Sequence, residues 1–195
     1  MLGSITPLGE RGRGSRWGIT VSAYIIGSAA GGAALGSALG WAGSPLDLPA
    51  DLRFAILGVA IAAAIAFDLH LGGLRLPSTH RQVDETWRAS YRGWVWGLTF
   101  GAQLALGVIT VVTTAMVYVT WLAALLTGSA AAGALVGLAF GLARGLPIVS
   151  VARVRTSGQL LGVDRTLQRL AAPARRLSVA AGASIAGLAL LGAAR

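Results

Sequence analysis

The chain contains no cysteine and no lysine, only two histidines, His70 and His80, and only seven acidic residues. The missing thiols exclude a disulfide relay, iron–sulfur ligation and a cysteine zinc site within the chain. Two histidines are too few for an ordinary all-protein metal cage. No Ser/His/Asp or paired-carboxylate arrangement occurs at matching depth, and no GxGxxG or Walker pattern follows a strand. The sequence therefore reads as noncatalytic, with no metal and no cofactor. The stretch GERGRGSR from Gly9 has no lysine or hydrophilic domain after it and reads as a flexible basic tail.

Charge of either sign is scarce. Charged residues make up 12% of the 195 positions against 55% hydrophobic, with a mean hydropathy of +0.71. A soluble domain surface needs roughly a quarter charged side chains, so this composition is that of an integral membrane protein. The charges cluster between apolar blocks, as they must if the blocks lie in lipid. All sixteen basic residues are arginine and the net charge is +9. They flank the apolar blocks, with no zinc-finger spacing and no aromatic RNA-binding motif, so the expected partner is the lipid bilayer and not a nucleic acid. The first apolar block exceeds 20 residues after an arginine-rich start, which is not the form of a cleaved signal peptide.

Five blocks are long enough to span: Trp17 to Ala42, Leu52 to Leu71, Gly93 to Leu122, Thr127 to Val149 and Leu177 to Ala194. At 1.5 Å per residue each covers about 30 Å of hydrocarbon, the last only just. Arginine alternates between the connections. Arg11, Arg13 and Arg16 precede the first span, and Arg53 alone, opposed by Asp47 and Asp51, follows it. Arg75, Arg81, Arg88 and Arg92 fill the second connection, the third has no charge, and seven arginines from Arg144 to Arg176 fill the fourth. This alternation predicts an inner-membrane protein with its N-terminus in the cytoplasm and its C-terminus outside.

Two connections exceed a turn. VDETWRASYRGW, from Val83 to Trp94, carries Trp87, Tyr91 and Trp94 at helical spacing and is expected to lie at the cytoplasmic interface. TSGQLLGVDRTLQRLAAPARR places Leu160, Val163, Leu167 and Leu170 on one face and is expected to lie flat until Pro173 stops it.

An internal repeat crosses this pattern. GSAAGGAALGSALG from Gly27 aligns without a gap on GSAAAGALVGLAFG from Gly128, with nine identities in fourteen positions. Gly32, Gly36 and Gly40 in the first copy, and Gly133, Gly137 and Gly141 in the second, form stripes along which another helix can approach closely. The arginine pattern makes the two copies antiparallel, the signature of an inverted-topology duplication. The chain then divides into a truncated first repeat with its cytoplasmic connection, residues 1–92, and a second repeat, residues 93–195, within one transmembrane domain. Three-helix repeats require six spans. LGSIT from Leu2 resembles LGVIT from Leu106, so the chain is expected to begin partway through an original first helix: either the true start lies before Met1, or the shortened protein completes itself with a second copy or a partner membrane protein.

GLTFGAQLALG, from Gly97 to Gly107, resembles the head of a core helix in the DsbD/CcdA transmembrane electron transporters and their LysE-like transporter relatives. The resemblance implies a fold of inverted three-helix repeats over most of the chain. The redox members carry Pro-Cys near the positions of Leu106 and Gly107, with a counterpart near Ile5 to Pro7, and neither place holds cysteine here. What the resemblance implies is the scaffold without electron transfer, leaving small-solute transport or a structural role.

Polar side chains inside apolar spans mark the candidate site. Gln103 lies about 15 Å into the third span, and Thr110 and Thr114 share its face at steps of seven and four. Ser28 and Ser129, related by the repeat, are candidates for the same central cavity. Against these stands the ordinary use of threonine to bond its own i−4 carbonyl and of glutamine as interhelical glue. Asp68, the only acid within any span, sits two residues from His70 and cannot face it on a helix; capping, or pairing with Arg75, is its expected use. The sequence thus predicts an all-α polytopic membrane protein with a partial inverted repeat. Its expected function is small-solute transport, the competing one a noncatalytic scaffold or assembly subunit.

Overall fold

A computed structural model describes residues 7, 10, 16–71, 93–107, 114–152, 154 and 156–193. Among them every regular element is helical. The helices are α1 (Trp17–Gly43), α2 (Ala50–Asp68), α3 (Gly93–Leu106), α4 (Met116–Leu126), α5 (Ala130–Gly145) and α6 (Ser157–Ala193), with short 3₁₀ turns at Ser44–Leu46 and Leu146–Val151. Among the described residues four stretches are long and apolar enough to cross a bilayer: Trp17–Leu46, Ala50–Asp68, Ala130–Val151 and Leu161–Ala193. The protein is a polytopic helical membrane protein.

The centre of the fold is the seam between α1 and α5, and it is made of the repeat. A Cβ on Gly32 would collide with the carbonyl oxygen of Gly137, and one on Gly36 with that of Gly133. Gly40 stands in the same relation to Ser129, and Gly141 to Ser28. Each step of four up α1 is a step of four down α5, so the helices are antiparallel. The pairing is also reciprocal: the partner of Gly32 is the repeat equivalent of Gly36, and the partner of Gly36 is the equivalent of Gly32. That reciprocity is the contact pattern of a local two-fold axis. Backbones approach this closely only where side chains are absent, and in lipid such packing replaces the hydrophobic drive that water would supply.

The glycines of the GLTFGAQLALG stretch have the same use. Gly97 lies against the carbonyl of Thr20, and Gly101 against that of Tyr24. Residue numbers rise together along this contact, so α3 runs parallel to α1. The close approach lets Phe100 stack on Trp96, with centroids 5.0 Å apart, and on Tyr24 at 5.8 Å. With Val21, Leu104, Ile148, Val151 and Val154 these rings form the larger core cluster.

Helix α6 covers α2 in the antiparallel sense. Gly192 meets Phe54, Gly58 meets Leu190, Gly182 meets Ile61 and Ile65, and Arg175 reaches Asp68. At the opposite end Arg53 ties three segments. Its Nε donates to the Leu48 carbonyl at 2.8 Å and an Nη to the Thr127 carbonyl at 3.3 Å.

Three expectations change. The third span, Gly93 to Leu122, is not one helix. α3 ends at Leu106 and Gly107 takes φ +66°, a left-handed conformation that ends a helix. The residues that follow, VITVVTT from Val108 to Thr114, are all β-branched and poor at extending it. At about 21 Å and 16 Å, α3 and α4 are each too short to cross alone. Second, Pro173 does not stop the amphipathic stretch. α6 runs through it unbroken, although proline offers no N–H to the carbonyl one turn back, a loss that membrane helices tolerate. Third, Glu10 does not behave as part of a flexible basic tail. It is buried, and Thr20 Oγ1 donates to its Oε2 at 2.9 Å. The LGSIT resemblance and nearly all of the aromatic connection from Val83 fall outside the described residues.

Candidate functional site

The interruption between α3 and α4 leaves two helix ends within the bundle. In a bilayer the backbone groups freed at such ends must find partners inside the protein. At the start of α4 the partner is Asp68, at the end of α2. Its Oδ1 accepts the Ala115 N–H at 2.7 Å, and its Oδ2 accepts the Thr114 hydroxyl at 2.5 Å. Thr114 Oγ1 in turn accepts the Met116 N–H at 3.2 Å. A carboxylate at a helix N-terminus also meets the positive end of the helix dipole. From α6, Arg175 donates through an Nη to the Asp68 carbonyl. One residue therefore joins α2, α4 and α6.

A cavity of about 530 Å³ opens beside this junction, lined by Asp68, His70, Thr114, Arg175, Ser178 and the apolar Ile65, among others. It combines a carboxylate, a guanidinium, an imidazole and two hydroxyls on an apolar floor. His70 closes the end of α2 with φ +55°.

The other helix end, at Gly107, is apolar. A side chain there would press on Val117 Cγ1 at 2.8 Å, and Trp121 Nε1 and the Phe140 ring edge lie at 3.4 and 3.5 Å from the same point. Trp121 and Phe140 meet edge to face, with centroids 4.9 Å apart. Val117, Trp121 and Ala124 form the second core cluster, against Leu35 and Leu39 of α1 and Val136 of α5. The Arg144 guanidinium sits 5.6 Å from the Phe140 centroid.

The sequence-predicted residues divide among these places. Thr114 lies in the cavity, held by Asp68. Gln103 is partly buried on α3, and the described lining of the cavity does not include it. Thr110 falls outside the described residues. Ser28 is fully buried and donates to the Gly141 carbonyl at 2.8 Å, while Ser129 accepts the Ala132 N–H at 3.5 Å as the N-cap of α5. Ser129 sits opposite Gly40, twelve residues along α1 from Ser28, or about 18 Å. The two repeat-related serines therefore stand at opposite ends of the seam and do not share a cavity. The back-bonding expected of membrane threonines occurs at Thr99 and Thr120, whose hydroxyls donate to the carbonyls of Val95 and Met116. Sequence reasoning missed Arg175, and it separated Asp68 from Thr114. The signal was Asp68 itself, an acid near the end of a span with no partner on its own helix. Among the described residues no cluster of three or more His, Cys, Asp or Glu forms a metal cage.

Residues 2–186 match the family described as cytochrome c biogenesis protein transmembrane region. The chain is also similar to two proteins named methylamine utilization protein MauF. It is 35% identical over 152 residues to that of Methylophilus methylotrophus, covering 75% of this chain and 53% of the relative. It is 31% identical over 195 residues to that of Paracoccus versutus, covering 96% of this chain and 71% of the relative. The chain thus spans about half the length of the first relative and somewhat over two thirds of the second. No solved structure matches.

Proposed function

Because the chain belongs to the cytochrome c biogenesis protein transmembrane region family and carries no cysteine, we propose that it uses this scaffold to move a small polar solute across the membrane instead of passing electrons between thiols. The observation that carries the reading is the interrupted span. A helix that breaks inside the bundle, beside an antiparallel pair related by a local two-fold, is the arrangement in which secondary transporters place their sites. In this reading the halves, residues 1–92 and 93–195, rock about the α1–α5 seam. Gln103 and the threonines of the break contact the solute, and Asp68 holds α4 in one of its positions. The arginine-rich ends, including the start of α1 and residues 144–176, face the cytoplasm of an inner-membrane protein. The chain acts without catalysis and without a cofactor.

A second reading, a noncatalytic assembly subunit, is favoured by the first half of α6. Leu161, Leu167 and Leu170 are exposed there among Arg165 and Arg169, an amphipathic surface fit for a partner membrane protein or a second copy.

Flux into proteoliposomes separates the two. Purified chain, Gln103→Leu chain and empty vesicles are compared with a panel of labelled small polar solutes, headed by methylamine because both relatives are named for its utilization. The expected result is saturable uptake of at least one solute by the wild type, lost in Gln103→Leu at an unchanged amount of folded protein. No uptake of any solute, or parallel loss of flux and fold, removes the transport reading.

A further inference from the structure

The cavity beside Asp68 holds more polar groups than the junction of α2 and α4 uses. Asp68 spends one carboxylate oxygen on the Ala115 N–H and the other on the Thr114 hydroxyl, and its charge faces the positive end of the α4 dipole. Thr114 is used twice, donating to Asp68 and accepting the Met116 N–H. The carboxylate and hydroxyl on this side of the cavity are therefore engaged.

The wall supplied by α6 is different. Arg175 carries a fork of N–H donors and no acceptor, and its bond to the Asp68 carbonyl occupies an Nη alone. Ser178 lies one turn on, at a step of three, and so on the same face. Thr166 and Ser184 of this helix spend their hydroxyls on the carbonyls of Gly162 and Ala180, one turn back. The Ser178 hydroxyl bonds no described residue and lines the cavity instead. Ile65, Met116, Ala174 and Val179 add apolar surface around these groups. Arg175, Ser178 and His70 are all exposed, so the cavity is open to a ligand. It offers a fixed positive charge, hydrogen-bond donors beside it and an apolar wall, in about 530 Å³, a volume usual for a small-molecule site. A cation meets repulsion from Arg175 and finds Asp68 already engaged. An oxyanion on an apolar body satisfies the guanidinium, the hydroxyl and the wall together.

We propose that this cavity binds an oxyanion carried on an apolar body, held by Arg175 and Ser178 of α6 with His70 in the lining. A short-chain carboxylate from solution and the phosphate of an anionic phospholipid share that chemistry. The assignment goes beyond the transport reading and does not depend on it. Gln103 has no part in the site, and a chain that moves no solute binds the anion all the same.

The test uses the whole chain in phosphatidylcholine nanodiscs. The sequence holds only two histidines, so His80→Asn leaves the His70 ring, labelled with ¹³C, as a single reporter in the lining. Butyrate, butyramide and butylamine, alike in their apolar part and differing in charge, are the probes at constant pH. Butyrate is expected to move the His70 signal saturably while the neutral amide and the cation at equal concentration do not. Its Kd is expected to rise about tenfold or more in Arg175→Gln, the loss of a charge-assisted hydrogen bond. Arg176→Gln removes the same charge one residue away, outside the described lining, and is expected to leave Kd unchanged. Ser178→Ala, expected to weaken binding about threefold, gives a second variant should Arg175→Gln fail to fold. Phosphatidylglycerol added to the nanodiscs separates the two sources. If it moves the His70 signal in the wild type but not in Arg175→Gln, and displaces butyrate, a lipid phosphate is the occupant; if butyrate binding is indifferent to it, the occupant is a carboxylate from solution. Equal response to all three probes, equal loss in Arg175→Gln and Arg176→Gln, unchanged binding in Ser178→Ala, or no response to butyrate or phosphatidylglycerol overturns the assignment.

Discussion

Gly36 and Gly133 face each other across the α1–α5 seam, and each occupies the space into which a side chain on the other would extend. The contact is reciprocal because the two residues belong to the repeated stripes, one running up its helix and the other down.

Replacing Gly36 or Gly133 with alanine is therefore expected to destabilise the fold by about 1–3 kcal/mol, since the new Cβ meets backbone that cannot turn aside. Gly187→Ala, on α6 with open space around it, serves as the control and is expected to be neutral. Reversible denaturant titration in mixed micelles reads the difference, and equal stability of all three variants would refute the seam.

Asp68 and Thr114 are expected to be energetically coupled. Asp68→Ala leaves the Ala115 N–H and the Thr114 hydroxyl without their acceptor, a loss of about 1–3 kcal/mol, while Thr114→Val removes one of those two bonds together with the acceptor of the Met116 N–H. A double-mutant cycle should return a coupling above about 0.5 kcal/mol. Strict additivity would mean that the carboxylate does not hold α4.

Gly107→Ala places a Cβ on a left-handed residue and against Val117. The left-handed conformation alone costs about 1–2 kcal/mol for a residue with a side chain. The thermal midpoint should fall, and Val117→Ala should recover part of the loss. Gly107→Ala at wild-type stability would contradict the conformation described.

The cysteine-free sequence gives a silent background for topology. A single Ser44→Cys, at the end of α1, is expected to react with a membrane-impermeant maleimide added outside intact cells. Thr156→Cys, just before α6, should react only after the membrane is opened. The reverse pattern would invert the orientation proposed from the arginines.

Much of this fold is legible in the sequence, because hydropathy and glycine spacing act locally. The first span, Trp17 to Ala42, matches α1 to within a residue, and the stripes at Gly32 and Gly133 meet as their spacing demands. The third span misled because hydropathy does not distinguish a continuous helix from two short ones. VITVVTT is as apolar as a spanning helix, and only its β-branching and the glycine before it mark the interruption. The Asp68–Thr114 bond joins residues 46 positions apart, so no local pattern reveals it. Ser28 and Ser129 show the converse error. Equivalence in a repeat implies equivalent surroundings, but the two-fold puts equivalent residues at opposite ends of an antiparallel pair.

That last relationship has a mechanical side. At one end of the seam the Ser28 hydroxyl is fastened to the Gly141 carbonyl; at the other, the equivalent serine is turned to its own helix as a cap. The Gly40 end is joined less directly, by Arg53 bridging the carbonyls of Leu48 and Thr127. A bond straight across the seam holds two helices more tightly than a bridge through a third, so spin labels across the Gly40–Ser129 end should report a broader spread of distances than labels beside Ser28. Equal spreads would mean that the two ends are held alike.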